Sequence, residues 1–246
     1  MTKNTDTGHV KNVANFEMLL TACSAQSVSY NPSNPTLSIA SLKAVLADAK
    51  AKLKATNDAQ IELTLTINHR QDAFKPLAKL ITRVLNALEA CGASDSYMYD
   101  ARSLADKIRG NNNKKKTSDS PDLNSDTIVK RSKSTSQRSF DLLTEHFSKF
   151  ITMLEELHVY VPNEEELKIN SLKKYQKELN DLNQRINEKK VLAQQFLIER
   201  DHVLYAPETG LVPIANTVKQ YIRSIYGIQS PQNQNIKSLI FRSPNK

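Results

Sequence analysis

Five histidines are the first residues to weigh for acid–base or metal chemistry: His9, His69, His146, His158 and His202. A helix presents two imidazoles to one metal when they stand four residues apart, and no pair here has that spacing. HExxH is absent too. His69 and His202 stand close to Arg70 and Arg200, near the ends of two predicted helices, where polar side chains cap carbonyls. Each arginine shortly precedes an aromatic-x-Pro element. Two readings are open for the pair: they bond loop carbonyls and so fix a helix break, or they form an anion site facing a cleft between the two halves. Asp201 beside His202 suggests an acid–base couple, but neighbours on a helix do not face each other. Cys23 and Cys91 lack CxxC or zinc spacing and lie in apolar stretches, which suits buried, unreactive thiols. With only 5 glycines in 246 residues, the chain carries no GxxxxGK[ST], GxGxxG or GxSxG loop. The sequence predicts no catalytic residue, no metal and no cofactor, hence not an enzyme.

The formal net charge of +8 invites a phosphate-binding reading, so its location matters. Residues 1–109 hold 13 Lys+Arg against 10 Asp+Glu, and residues 139–246 hold 14 against 13. Residues 110–138 hold 7 against 3, including Lys114, Lys115, Lys116, Lys130, Arg131 and Lys133. Half of the excess is in this stretch, which is polar and nearly free of large apolar residues. Ordering it would gain too little burial to offset its entropy, so a disordered linker is predicted. The basic clusters either touch nucleic acid or acidic lipid, or merely keep the linker solvated and extended.

The two flanks of the linker resemble each other. Tyr30 to Lys43 and Tyr160 to Lys173 share Tyr30/Tyr160, Pro32/Pro162, Leu37/Leu167, Ile39/Ile169, Ser41/Ser171, Leu42/Leu172 and Lys43/Lys173, all at one offset of 130. Upstream, Phe16 and Leu19-Leu20 are set opposite Phe140 and Leu142-Leu143. Downstream, Phe74-Lys-Pro76 matches Tyr205-Ala-Pro207, and Gly92 matches Gly227. Landmarks in one order mark an internal duplication. The least symmetric stretch follows Pro207, where Glu208 to Pro213, with Thr209, has no counterpart after Pro76. Such an insertion is either loop drift or a specialised surface.

Apolar periodicity then predicts four helical segments per copy. The first covers about 10–25 and 139–157. A long second helix covers about 36–72 and 164–202, with Asn163 as N-cap and Glu164-Glu165-Glu166 at its positive end. A third follows the proline break, Gly92 and Gly227 cap it in the left-handed conformation, and a short helix closes each copy. Phe74 and Tyr205 are expected to pack into the bundle at the break. The fold class is all-α: two tandem long-helix bundle units, 1–109 and 139–246, joined by the linker 110–138.

Ser136 to Phe140, Tyr160 to Lys168 and Leu204 to Val212 carry a resemblance to a family of duplicated, all-helical bacterial proteins without an assigned activity. The resemblance implies an intracellular or host-associated bacterial protein and no particular chemistry. No apolar run approaches the ~20 residues that span a bilayer, and the first residues are polar, so a cytoplasmic protein is expected. The leading expectation is a non-enzymatic interaction or scaffold protein with a protein partner; the alternative is a nucleic-acid-associated protein that grips phosphates through the linker. Candidate interaction residues are Arg70, Arg200, Tyr205 and Thr209 in the folded halves, and the six linker cations named above.

Overall fold

A computed structural model describes residues 6–26, 29–110 and 139–243. Lys114, Lys115, Lys116, Lys130, Arg131 and Lys133 lie outside the described residues, as does the rest of the linker beyond Gly110. Among the described residues all regular structure is helical: α1 (Asp6–Ala25), α2 (Ile39–Phe74), α3 (Leu77–Ala90), α4 (Asp95–Arg109), α5 (Phe140–Glu156), α6 (Ile169–Tyr205), α7 (Leu211–Tyr226) and α8 (Pro231–Lys237). The all-α expectation holds, with no strand among these residues.

The chain enters each long helix through the same device. The Tyr30 hydroxyl donates to the Leu37 carbonyl at 2.8 Å, and the Tyr160 hydroxyl donates to the Leu167 carbonyl at 2.8 Å. Each tyrosine is buried and closes over a short 3-10 turn, Pro35–Leu37 or Glu165–Leu167. Ser38 and Lys168 follow in extended backbone, with ψ of 150° and 146°. The long helices therefore start at Ile39 and Ile169, not at Thr36 and Glu164 as the sequence suggested. Leu37 and Leu167 must turn inward to be buried, and an uninterrupted helix would not allow it. Asn163 accordingly does not cap α6. In the first copy Asn34 caps the 3-10 turn, accepting the Thr36 N–H at 3.0 Å, and Ser38 Oγ accepts the Ser41 N–H at 3.2 Å to start α2. Lys168 holds the place of Ser38 before α6 and offers no oxygen.

The chain divides into two compact units, Met1–Thr64 with Glu188–Lys246, and Leu65–Asn187. These boundaries fall inside α2 and α6, not at the ends of the sequence copies. The first unit takes α1 and the start of α2 from the stretch before residue 111, and the end of α6, α7 and α8 from the stretch after residue 138. Its core joins Phe16, Leu19, Leu20, Cys23, Leu42 and Leu46 to Leu204, Leu211, Ala215, Val218, Ile222 and Ile236. The second unit takes the end of α2, α3 and α4 from the stretch before residue 111, and α5 and the start of α6 from the stretch after residue 138. Its core joins Ile81, Val84, Leu85, Leu88, Ala101 and Ala105 to Phe147, Phe150, Ile151, Leu154, Leu172 and Leu179. Each fully buried Leu, Ile or Phe contributes about 1.5–3 kcal/mol of transfer free energy. In both cores that gain is realised only when elements from before residue 111 meet elements from after residue 138.

Within the first unit, α2 and α6 run antiparallel. Lys52 pairs with Glu199 at 2.9 Å, and the buried Thr56 hydroxyl donates to the carbonyls of Lys52 and Phe196. Within the second, the Tyr175 hydroxyl donates to the Ala73 carbonyl at 2.5 Å, and Arg70 Nη1 donates to Asn183 Oδ1 at 3.3 Å. Gly92 and Gly227 have the expected positive φ, 83° and 81°. Gly227 combines it with ψ 165°, outside the left-handed helical region, whereas Gly110 caps α4 at φ 79° and ψ 19°.

Candidate functional site

The buried stripe of α1 is the place where the fold does something a plain bundle does not need. Val13, Phe16, Leu19, Leu20 and Cys23 continue it toward the C-terminal end as ordinary core. Its first turns are polar. His9, Asn12 and Asn15 occupy the same face and are 4%, 2% and 6% exposed. Burying such groups is costly unless each finds partners, so their partners explain the site.

The C-terminal end of α6 supplies the first. Tyr205 places its hydroxyl 2.7 Å from His9 Nδ1, and Asn12 Nδ2 donates to the same oxygen at 3.2 Å. Burial raises the Tyr205 pKa, so the phenol keeps its proton, and the imidazole tautomer decides which partner of the His9–Tyr205 bond donates. The rings lie 5.6 Å apart and tilted by 56°. Beside them Arg200, 5% exposed, holds Asp201 Oδ1 through Nε and Nη2 at 2.9 and 2.8 Å.

The residues after α8 supply the rest. Leu239 to Arg242 form an extended segment whose side chains alternate: Leu239 is buried, Ile240 is exposed, Phe241 packs on the core and Arg242 is exposed. Asn12 is bidentate to Arg242, donating from Nδ2 to its carbonyl at 2.7 Å and accepting its N–H on Oδ1 at 3.1 Å. Asn15 Nδ2 donates to the Ile240 carbonyl at 2.8 Å. From α7, Lys219 Nζ donates to the Leu239 carbonyl at 2.9 Å and lies 5.9 Å from the Phe241 ring centre. Burial pushes the Lys219 pKa down, with Arg223 adding to it. Side chains of α1 and α7 thus stand in for a neighbouring strand. They read the backbone of a peptide, which carries the same groups in every residue but proline. A cavity of about 370 Å³ adjoins the segment, lined by Gly8, Lys11, Asn12, Asn15, Ser238, Ile240 and Arg242.

The matching place in the second unit is apolar. Its burial pattern fits a shift of 131: Phe16, Leu19, Leu20 and Cys23 fall on Phe147, Phe150, Ile151 and Leu154. This differs from the register that set Phe16 opposite Phe140, because Phe140 begins α5 and faces the end of α2. The same shift puts His9 on Phe140, Asn12 on Leu143, Asn15 on His146 and Tyr205 on Phe74. Phe74 and Phe140 meet edge-on at 4.7 Å, with the Arg70 guanidinium 4.1 Å over Phe140. Burial lowers the Arg70 pKa against the pull of Asp141, and its Nε finds no partner. His146 is buried with both ring nitrogens unpartnered. Burial and the nearby Lys107 and Lys149 depress its pKa, against the opposing charge of Glu145.

Of the residues singled out in the sequence, the structure brings Tyr205 to His9 and Asn12 on α1, sets Arg200 near enough for its charge to act on Tyr205, and leaves Arg70 in the second unit. Thr209 is exposed on the turn between α6 and α7, where its N–H donates to the Pro207 carbonyl at 2.7 Å. Sequence reasoning missed His9, Asn12, Asn15 and Lys219. The first three were legible as polar residues interrupting the apolar stripe of a helix; Lys219 gave no such sign. Cys23 is fully buried with its thiol pushed up to about 11, and Cys91, half-buried, ends α3; both are free. Among the described residues no group of three His, Cys, Asp or Glu side chains is placed to hold a metal, and no helix is long and apolar enough to cross a membrane.

The fold and this site define an all-helical protein with a side-chain cradle around an extended segment. No protein-family model matches the chain, and neither a curated protein nor a solved structure matches it.

Proposed function

We propose that this chain is a non-enzymatic helical interaction protein built by internal duplication, whose partner is another protein. The observation that carries the reading is the use made of the buried polar groups on α1. Asn12 commits both N–H groups and its carbonyl oxygen, to Tyr205 and to the Arg242 backbone, and Asn15 bonds the Ile240 carbonyl. These groups recognise main chain; none is aimed at a reacting atom. The identical tyrosine latches and the matching burial at shifts of 130 and 131 support the duplication. An origin among duplicated bacterial helical proteins and a cytoplasmic location belong to the same proposal.

The test is affinity capture on the full chain from its native cell, followed by reconstitution of any captured protein with the purified chain. A partner that rebinds as purified protein, with affinity changing little between 50 and 200 mM salt (a range of about four-fold), supports the reading. Binding to DNA or RNA that falls steeply with salt, with no protein partner reconstituted, would overturn it in favour of a phosphate grip by Lys114, Lys115, Lys116, Lys130, Arg131 and Lys133.

A further inference from the structure

We propose that the cradle formed by Asn12, Asn15 and Lys219 is an exchangeable peptide-binding site, and that its partner in trans is the Leu239–Arg242 segment of a second copy of this chain. The inference rests on the interaction reading above and names the site and the partner for it.

Three observations lead to it. Beyond one turn bond, from the Leu239 N–H to the Ile236 carbonyl at 3.1 Å, the segment is held by side chains: the carbonyls of Leu239, Ile240 and Arg242 each accept from one, and the Arg242 N–H donates to one. Among the described residues, its release costs a single backbone–backbone bond, the turn bond to Ile236 at the end of α8. The cradle also has supports besides the segment: α1, α6 and α7 share a core to which the segment adds only Leu239 and Phe241, and Tyr205 accepts from Asn12. Finally, the demands on an occupant are those this segment meets. They are an extended backbone, a large apolar residue at the Leu239 and Phe241 positions, and a free N–H at the Arg242 position. Main-chain bonds then supply affinity and the alternate side chains supply selection, as in strand addition. The second unit has none of this. There Leu143 and His146 replace the two asparagines, and α4 runs as helix through Arg109.

The probe is a fluorescent synthetic peptide with the sequence Ser238 to Lys246, added to the full-length chain and read by anisotropy. The resident segment competes, so the chain is also made as Phe241→Ala, which weakens the resident and leaves Asn12, Asn15 and Lys219 in place. The expected result is peptide binding about tenfold tighter to Phe241→Ala than to the native chain. Adding Asn12→Ala should reverse that gain, and a peptide with alanine at its Phe241 position should bind about tenfold more weakly. Equal binding to all three proteins, or no binding to a Phe241→Ala chain that keeps its helical circular dichroism, overturns the proposal. Should Phe241→Ala fail to fold, hydrogen exchange on the native chain decides. Excess peptide must speed exchange at the Arg242 amide, and unchanged exchange at saturating peptide overturns the proposal. A reconstituted protein partner together with a silent peptide would refute this site alone and leave the interaction reading standing.

Discussion

At the scale of the residue, the two units show one position solved in two ways. Phe74 and Phe140 fill it with apolar rings in the second unit; Tyr205 and His9 fill it with a hydrogen-bonded pair in the first. Truncating Phe74 to alanine removes most of a buried ring, and a loss of about 3–5 kcal/mol is expected from denaturant melts. Tyr205→Phe keeps the ring but strips a bond from His9 and from Asn12, so about 1–3 kcal/mol is expected. A Tyr205→Phe melt indistinguishable from the native one would remove the cluster's structural role. His146 makes a pH prediction. Its folded pKa lies below the unfolded value, so above pH ~6.5 both states are neutral and the fold is unpenalised. As pH falls through and below that value the unfolded chain takes up a proton that the fold resists, and stability drops. His146→Leu should flatten the dependence of melting temperature on pH between about 5 and 7.5. Equal slopes for the two proteins would show that other groups govern it. The aromatics at the break were visible in the sequence because they repeat. The polar interruptions of the α1 stripe were visible as well, but not what they bind, because their partners lie about 200 residues away in the sequence.

At the scale of the element, the turn between α6 and α7 is where local chemistry is most constrained. Glu208 has φ 65°, a left-handed conformation that non-glycine residues rarely adopt. Gly210 donates its N–H to the Ala206 carbonyl at 2.9 Å, and a Cβ there would stand 2.6 Å from the Ala206 nitrogen and 2.7 Å from its oxygen. Glu208→Gly should therefore stabilise slightly or leave stability unchanged, by less than about 1 kcal/mol. Gly210→Ala should destabilise by more than about 1 kcal/mol, since backbone must move to admit the methyl. Thermal melts of the two variants check both signs, and a tolerated Gly210→Ala would mean the turn relaxes freely. Helix existence was legible from periodicity. The true starts of α2 and α6 were not, because Pro35-Thr-Leu37 and Glu165-Glu-Leu167 are compatible with a first helical turn. Only the buried tyrosine, seven residues ahead of the carbonyl it holds, makes the chain turn before the helix begins.

At the scale of the whole molecule, the sequence copies and the compact units are different partitions of one chain. The matching landmarks at an offset of 130 were legible, but which helices would pack against which was not. The apolar stripe of α1 meets α7 and that of α5 meets α4, while a sequence records the stripes and not their pairing. A strong expectation follows. If a protease site is introduced between residues 111 and 138 and cut, the two fragments should stay together on gel filtration, because each core needs both. Fragments that separate as folded monomers would contradict the exchange of elements.

That exchange bears on how the protein is made. A ribosome that has released residues 1–110 has delivered half of each core and the whole of neither. Ala101 and Ala105 on α4 must wait for α5, and Phe16 and Leu19 on α1 must wait for α7. Apolar surface that stays uncovered during synthesis is what holdase chaperones bind and what drives aggregation. At about 5–20 residues per second, the second copy takes roughly 5–25 seconds to follow the first. For that interval the nascent chain is one half of a dimer whose other half has not yet been translated.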